Sequence, residues 1–161
     1  MTDMADWKDA LLATAPDLTI ANNVLIAIQQ LFDVDADLLI RDLHERTITG
    51  NLACHLRPCF PEWNVDCEFN RDGHEVKKAD GRIVVPDIIV HHRGTPENLL
   101  VIEVKKSNTR EPDEEDLQKL RAYCDTGLRY SVGLFLKLVV GESAPGVVRI
   151  QWMQGVDRVT E

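Results

Sequence analysis

Two charged motifs inside two apolar, β-branched runs constrain this chain most. Pro86-Asp87 lies in the run Ile83 to His92, and Glu103-Val104-Lys105 ends the run Leu99 to Lys105. Arg93-Gly-Thr-Pro-Glu-Asn98 between them is a turn by composition, so the two runs read as a β-hairpin. A hairpin turning about Thr95 sets Asp87 opposite Glu103, with Cβ atoms about 5 Å apart. Like charges in that position repel, which makes them a poor choice where a strand pair needs only stability. A divalent cation between them reverses the sign of the interaction, so the pair predicts a metal site.

Alternation along a strand places Glu103 and Lys105 on one face, with Val104 on the other. Two carboxylates and an ammonium would then share a small area of one sheet face. Mg²⁺ or Mn²⁺ suits such a donor set, because hard divalent cations take one or two carboxylates, several waters and phosphate oxygens. A metal held there activates water and neutralises charge on a phosphoryl group, and Lys105 is placed to orient the attacking water. The competing reading is a surface salt bridge between Glu103 and Lys105. A third acid comes from the segment Asp42 to Leu56, whose Ile48, Leu52 and Leu56 recur at helical spacing. Glu45 precedes Ile48 by three residues and falls on the same inward stripe; as a helix-start residue it could equally face solvent.

Glu45, Pro86-Asp87 and Glu103-x-Lys105, in that order, resemble the motif set of the PD-(D/E)xK nuclease superfamily, the restriction-endonuclease-like fold, and in particular its small bacterial members. The resemblance covers residues 43–140. It implies an α/β fold with an αβββαβ core, a mixed central sheet flanked by helices. It also implies hydrolysis of phosphodiester bonds, with Glu45, Asp87 and Glu103 binding Mg²⁺ or Mn²⁺ and Lys105 assisting catalysis. DNA is the substrate it suggests; a catalytically silent module that binds nucleic acid or protein is the alternative. Several members add a Gln and a Tyr four apart on the following helix. Here Gln118 and Tyr123 are five apart. Gln118 and Lys106 are candidates for positioning substrate.

The remaining elements follow from pattern. Trp63 to Asn70 alternates as a strand, with Val65, Cys67 and Phe69 on one face. Pro112 to Gly127 reads as a helix, with Pro112 in its first turn, acids at its positive end, and Leu117, Leu120 and Cys124 inward. Tyr130 to Val140 reads as a strand buried on both faces, and Val147 to Trp152 as an edge strand. Upstream, Trp7 to Ala13 and Ile20 to Phe32 read as amphipathic helices separated by Ala15-Pro16-Asp17. The expected organisation is one domain over 1–161: a helical extension over 1–40, the core over 43–140, and a terminal edge strand within 141–161. The extension packs on the core or offers a homodimer surface.

No run predicts a membrane span or a targeting segment, so a cytoplasmic setting is expected. Cys54, Cys59, Cys67 and Cys124 match no zinc spacing and read as reduced thiols, Cys67 and Cys124 on apolar stripes. His91-His92 could ligate zinc, although adjacent strand residues face opposite ways. The formal net charge of −9 opposes nucleic-acid binding. The acids concentrate in Glu111 to Asp116 and the N-terminal segment, however, while Arg71, Lys77, Lys78, Arg82, Arg93, Lys105, Lys106 and Arg110 cluster around the hairpin.

Overall fold

Each helix begins where the sequence supplies a start signal. The computed structural model describes residues 6–69, 71–72, 75–76, 78–79, 82–83, 85–125 and 127–155. Helix α1 spans Trp7–Ala13. Asp17 then caps helix α2 (Leu18–Ile40), accepting a hydrogen bond from the Ile20 N–H at 3.0 Å. This helix runs past the expected end at Phe32, with a kink at Asp35, whose carboxylate meets His55 Nε2 at 2.6 Å. Helix α3 (Glu45–Leu56) buries Ile48, Leu52 and Leu56 as expected, and a 3₁₀ turn over Arg57–Cys59 ends it.

Strand β1 is Asn64–Cys67, shorter than the expected Trp63 to Asn70. Glu68 takes a left-handed conformation (φ 51°), which stops the strand and reverses the alternation after it. Phe69 therefore packs with Ile89 on the opposite side of the sheet from Val65, not on the same face, and Cys67 is exposed rather than buried. Two short antiparallel ladders follow: β2 (Arg71–Asp72) with β3 (Glu75–Val76), and β4 (Lys78–Ala79) with β5 (Arg82–Ile83). Asn70 and the side chains of Arg71, Lys77, Lys78 and Arg82 lie outside the described residues.

The expected run from Ile83 to His92 is interrupted at Pro86-Asp87, and β6 covers only Ile88–His91. Pro86 has no N–H for a ladder, so the chain bends there before pairing resumes. Strand β7 is Asn98–Lys106, and helix α4 is Asp113–Tyr123. Pro112 is the residue before α4 rather than part of its first turn. Strands β8 (Val132–Leu138) and β9 (Val147–Gln154) complete the chain order, with β8 fully buried and β9 at the edge.

The sheet order is β1-β6-β7-β8-β9, antiparallel except for the parallel pair β7–β8, which α4 connects as a crossover. The protein is thus α/β with a five-stranded mixed sheet. Helices α1 to α3 cover one face, over Val65, Ile88, Ile102, Val104, Leu134 and Leu136. Helix α4 covers the other, where Leu117, Leu120 and Tyr123 meet Ile89, Val101 and Phe135. Each such fully buried aliphatic side chain is worth about 1.5–3 kcal/mol. The N-terminal helices belong to this core, and Trp152 Nε1 donates to the Leu11 carbonyl at 2.9 Å. Among the described residues, no helix is long and apolar enough to cross a membrane.

Candidate functional site

The face of β7 beneath α4 starts apolar at Val101 and turns charged at Glu103 and Lys105. In the antiparallel register, Ile88 pairs with Ile102, so Asp87 falls one step on, beside Glu103. The Asp87 carboxylate accepts from the Val104 N–H at 2.9 Å, and the carboxyl groups of Asp87 and Glu103 are in hydrogen-bonding contact. This is the apposition that the hairpin predicted.

Glu103 is only 4% exposed, and its Oε1 has no hydrogen-bond partner among the described residues. Burial raises its proton affinity well above the ordinary carboxylate range, and the charge and contact of Asp87 add to that. Burial also raises Asp87, against the hydrogen bonds from Glu103 and the Val104 N–H. The phenol of Tyr123, buried and next to Glu103, is pushed up first by burial and then by the Glu103 charge. Folding has put two acids where neither is comfortable as an anion.

Glu45 opens α3 and shares with Asp87 a cleft of about 230 Å³, lined also by His44, Arg46, Thr49, Cys67 and Glu68. Burial raises its proton affinity, then the charges of Asp87 and Asp116, while Lys105 and Lys106 oppose. All three predicted acids thus feel one neighbourhood. Among the described residues, however, no three His, Cys, Asp or Glu side chains form a group that could hold a metal ion. Asp87 and Glu103 are the contacting pair, and Glu45 stands apart from them. The fit to a hard divalent cation rests on that pair: two touching carboxylates with one partnerless buried oxygen are a donor set such an ion favours.

Lys105 is placed differently from expectation. Its ammonium is buried, 2.9 Å from Asp116 Oδ2 and 3.1 Å from the Pro112 carbonyl. It belongs to a row of cations across the sheet, because Lys105 pairs in register with Lys137, and Lys137 with Arg149. Lys137 and Arg149 both bind Asp113, at 3.1 and 3.0 Å. The acids of the first turn of α4 therefore seat the helix on this row. Asp113 and Asp116 make these contacts, while Glu114 and Glu115 of the same turn stay exposed.

Other candidates are corrected as well. Gln118 is exposed beside Arg121, Ala122 and Asp125 on the outer side of α4, because helical rotation carries it away from the sheet. Lys106 faces away from Lys105 and ties down the corner before α3, bonding Asp42 at 2.8 Å and the Leu43 carbonyl at 3.2 Å. Arg93 is bound to Asp66, so it does not contribute a free cation to a basic rim. His91 bonds Asp66 at 2.7 Å while His92 stacks on Trp63, so the two imidazoles share no metal.

Sequence reasoning missed Asp116 and Lys119 as site residues. They and Tyr123 lie at positions i, i+3 and i+7 of α4, one step round from the apolar stripe Leu117, Leu120 and Cys124. Lys119, not Gln118, is the residue four before Tyr123. It sits 3.4 Å from Asp116; burial lowers its proton affinity, and the charges of Glu103 and Asp116 more than restore it. That spacing was readable, but which side of the helix faces the carboxylates depends on the crossover. Comparisons with protein-family models, with curated proteins and with solved structures find no match to this chain.

Proposed function

We propose that this protein is a divalent-metal-dependent nuclease with a restriction-endonuclease-like core, acting on DNA. The observation that carries the reading is the buried contact between Asp87 and Glu103, with Glu103 Oε1 left partnerless. The chain order of helix, strand, hairpin, crossover helix and strand supports the fold reading, as does Glu45 at the start of the preceding helix. Asp87 and Glu103 would hold Mg²⁺ or Mn²⁺, which supplies an acidified water and charge neutralisation at phosphorus. Glu45 would act across the cleft, directly or through water. Lys105, the catalytic lysine implied by the resemblance, contributes through the Asp116 it holds. In the hydrolysis a water oxygen bonds phosphorus, the ester P–O bond breaks, and the leaving sugar oxygen takes up a proton.

The test is cleavage of single-stranded, duplex and branched DNA with Mn²⁺ by the purified protein. Equal activity in the wild type and Asp87→Ala rejects the assignment. A second reading, a catalytically silent module binding nucleic acid or a protein, draws on a specific observation: Lys105 is sequestered by Asp116. Calorimetry separates the two, since no heat with millimolar Mn²⁺ favours the silent module. A homodimer would use the exposed Leu18, Ile26 and Val34 of α2, and sedimentation as a monomer excludes it.

A further inference from the structure

We propose that Lys119 is the cation that meets the substrate phosphate at the carboxylate pair, and that Lys105 is a positioning residue that seats α4. The inference rests on the nuclease reading above and assigns the substrate-facing charge of that site. Three observations carry it.

The first is that Lys105 is already spent. Its side chain is 4% exposed, and its ammonium is bound by Asp116 and the Pro112 carbonyl. It is one of three registered cations, Lys105, Lys137 and Arg149, whose partners Asp113 and Asp116 hold the first turn of α4 to the sheet. Drawing Lys105 out toward a phosphate would break the 2.9 Å pair that holds the mostly buried Asp116 and leave that carboxylate only its 3.4 Å contact with Lys119.

The second is that Lys119 is available. Its side chain is 53% exposed, and its 3.4 Å contact with Asp116 is longer than the 2.9 Å pair that Lys105 makes with the same carboxylate. A lysine so held can swing on its flexible stem.

The third is its position. The charges of Glu103, Asp116 and Asp87 all act on Lys119, and it acts in turn on both Asp87 and Glu103. Three residues after Asp116 and four before Tyr123, it lies on the side of α4 that carries the partner of Lys105 and the phenol next to Glu103. A phosphodiester approaching two carboxylates is repelled unless positive charge accompanies them. An ammonium at the rim supplies that charge, and stabilises the negative charge that builds on the non-bridging oxygens as the new P–O bond forms. Lys119 transfers no proton in this role.

The experiment compares wild type with Lys119→Ala, Lys119→Arg, Arg121→Ala and Lys105→Ala. It measures Mn²⁺-dependent DNA cleavage, the salt dependence of binding to the same DNA in Ca²⁺, and the melting midpoint. Lys119→Ala should lower kcat/KM about 100-fold and reduce the slope of log affinity against log salt by about 0.7–0.9. Lys119→Arg should recover most of both. Arg121→Ala, the same charge change on the outer side of α4, should leave both unchanged. Lys105→Ala should lower the melting midpoint, which neither Lys119 variant should do. With an active wild type, Lys119→Ala cleaving within about threefold of it and keeping its salt slope overturns the inference while the nuclease reading stands. An unchanged midpoint in Lys105→Ala overturns the positioning role. A wild type inactive on every DNA overturns both readings together.

Discussion

Replacing Glu103 by Gln should make the protein more stable at neutral and alkaline pH. As an anion the side chain is buried, touches Asp87 and leaves Oε1 without a partner. An unsatisfied buried polar group costs about 1–3 kcal/mol, with more for a charged one. A glutamine of the same shape removes the charge and can donate to Asp87, so we expect a gain of about 2 kcal/mol. For a chain of this size that is a rise in Tm of about 4–8 °C. The pH dependence fixes the cause. The folded-state proton affinity of Glu103 lies above its ordinary value, so the folded protein binds the extra proton. Stability is therefore full below the ordinary glutamate range and is lost as pH rises through the folded value. Scanning calorimetry of both proteins at pH 4.5 and pH 8 should show a Tm difference that is small at the lower pH and largest at the higher. Mn²⁺ at ten times its Kd should raise the wild type by about 1.4 kcal/mol and Glu103→Gln by much less. A gain of equal size at both pH values would mean that packing, not charge, sets it. No gain at pH 8 would refute the reasoning outright.

Three further substitutions probe the scaffold. Asp66→Asn should destabilise at pH 7, because the buried His91 and the Arg93 guanidinium lose a charged acceptor. Burial raises the proton affinity of Asp66 and its bonds to Arg93 and His91 outweigh it, so the wild-type advantage should hold above the ordinary aspartate value and vanish as pH falls through the lower folded one, as read by urea unfolding across acid pH. Trp152→Phe removes the Nε1–H bond to the Leu11 carbonyl and should cost about 1 kcal/mol in chemical denaturation, mostly by freeing α1. Gly133→Ala places a Cβ 3.0 Å from Cys124 Sγ and 3.3 Å from Met153 Cβ, and should cost about 1–3 kcal/mol. Adding Cys124→Ala should recover part of that loss in a double-mutant cycle, and strict additivity would deny that the sulfur is the obstacle.

The parts of the fold that the sequence made legible are those set by local chemistry. The Ile48, Leu52 and Leu56 stripe, the break at Ala15 to Asp17 and the helix after Pro112 each announce themselves within a few residues. The Asp87–Glu103 apposition was legible too, because a hairpin maps sequence separation directly onto pairing. The β1 strand misled because one left-handed residue, Glu68, ends it, and nothing in Cys67-Glu68-Phe69 marks that conformation. The end of α2 was missed because the helix resumes beyond a kink at Asp35, whose carboxylate meets His55, twenty residues away. Lys105 misled for a similar reason. Its partner is decided by the register of β7, β8 and β9 and by the rotation of α4, and none of these is encoded in the Glu-x-Lys triplet itself.

That same register bears on how a chain of net charge −9 could approach nucleic acid. Much of the acidity is remote or exposed, as at Asp33, Asp37, Glu111, Glu114 and Glu115. Around the site, Glu45, Asp87, Glu103, Asp113 and Asp116 face Lys105, Lys119, Lys137 and Arg149, which with every acid ionised leaves one net negative charge. A bound divalent cation turns that into one net positive charge, and so does neutralising both paired acids. DNA binding should therefore require Ca²⁺ or Mn²⁺ in the wild type and be abolished by chelator, while an Asp87→Asn, Glu103→Gln double variant should bind DNA without metal. Anisotropy titrations of labelled DNA in chelator and in Ca²⁺ measure both. If the double variant binds metal-free DNA no better than the wild type does, repulsion by the carboxylate pair is not what keeps nucleic acid away.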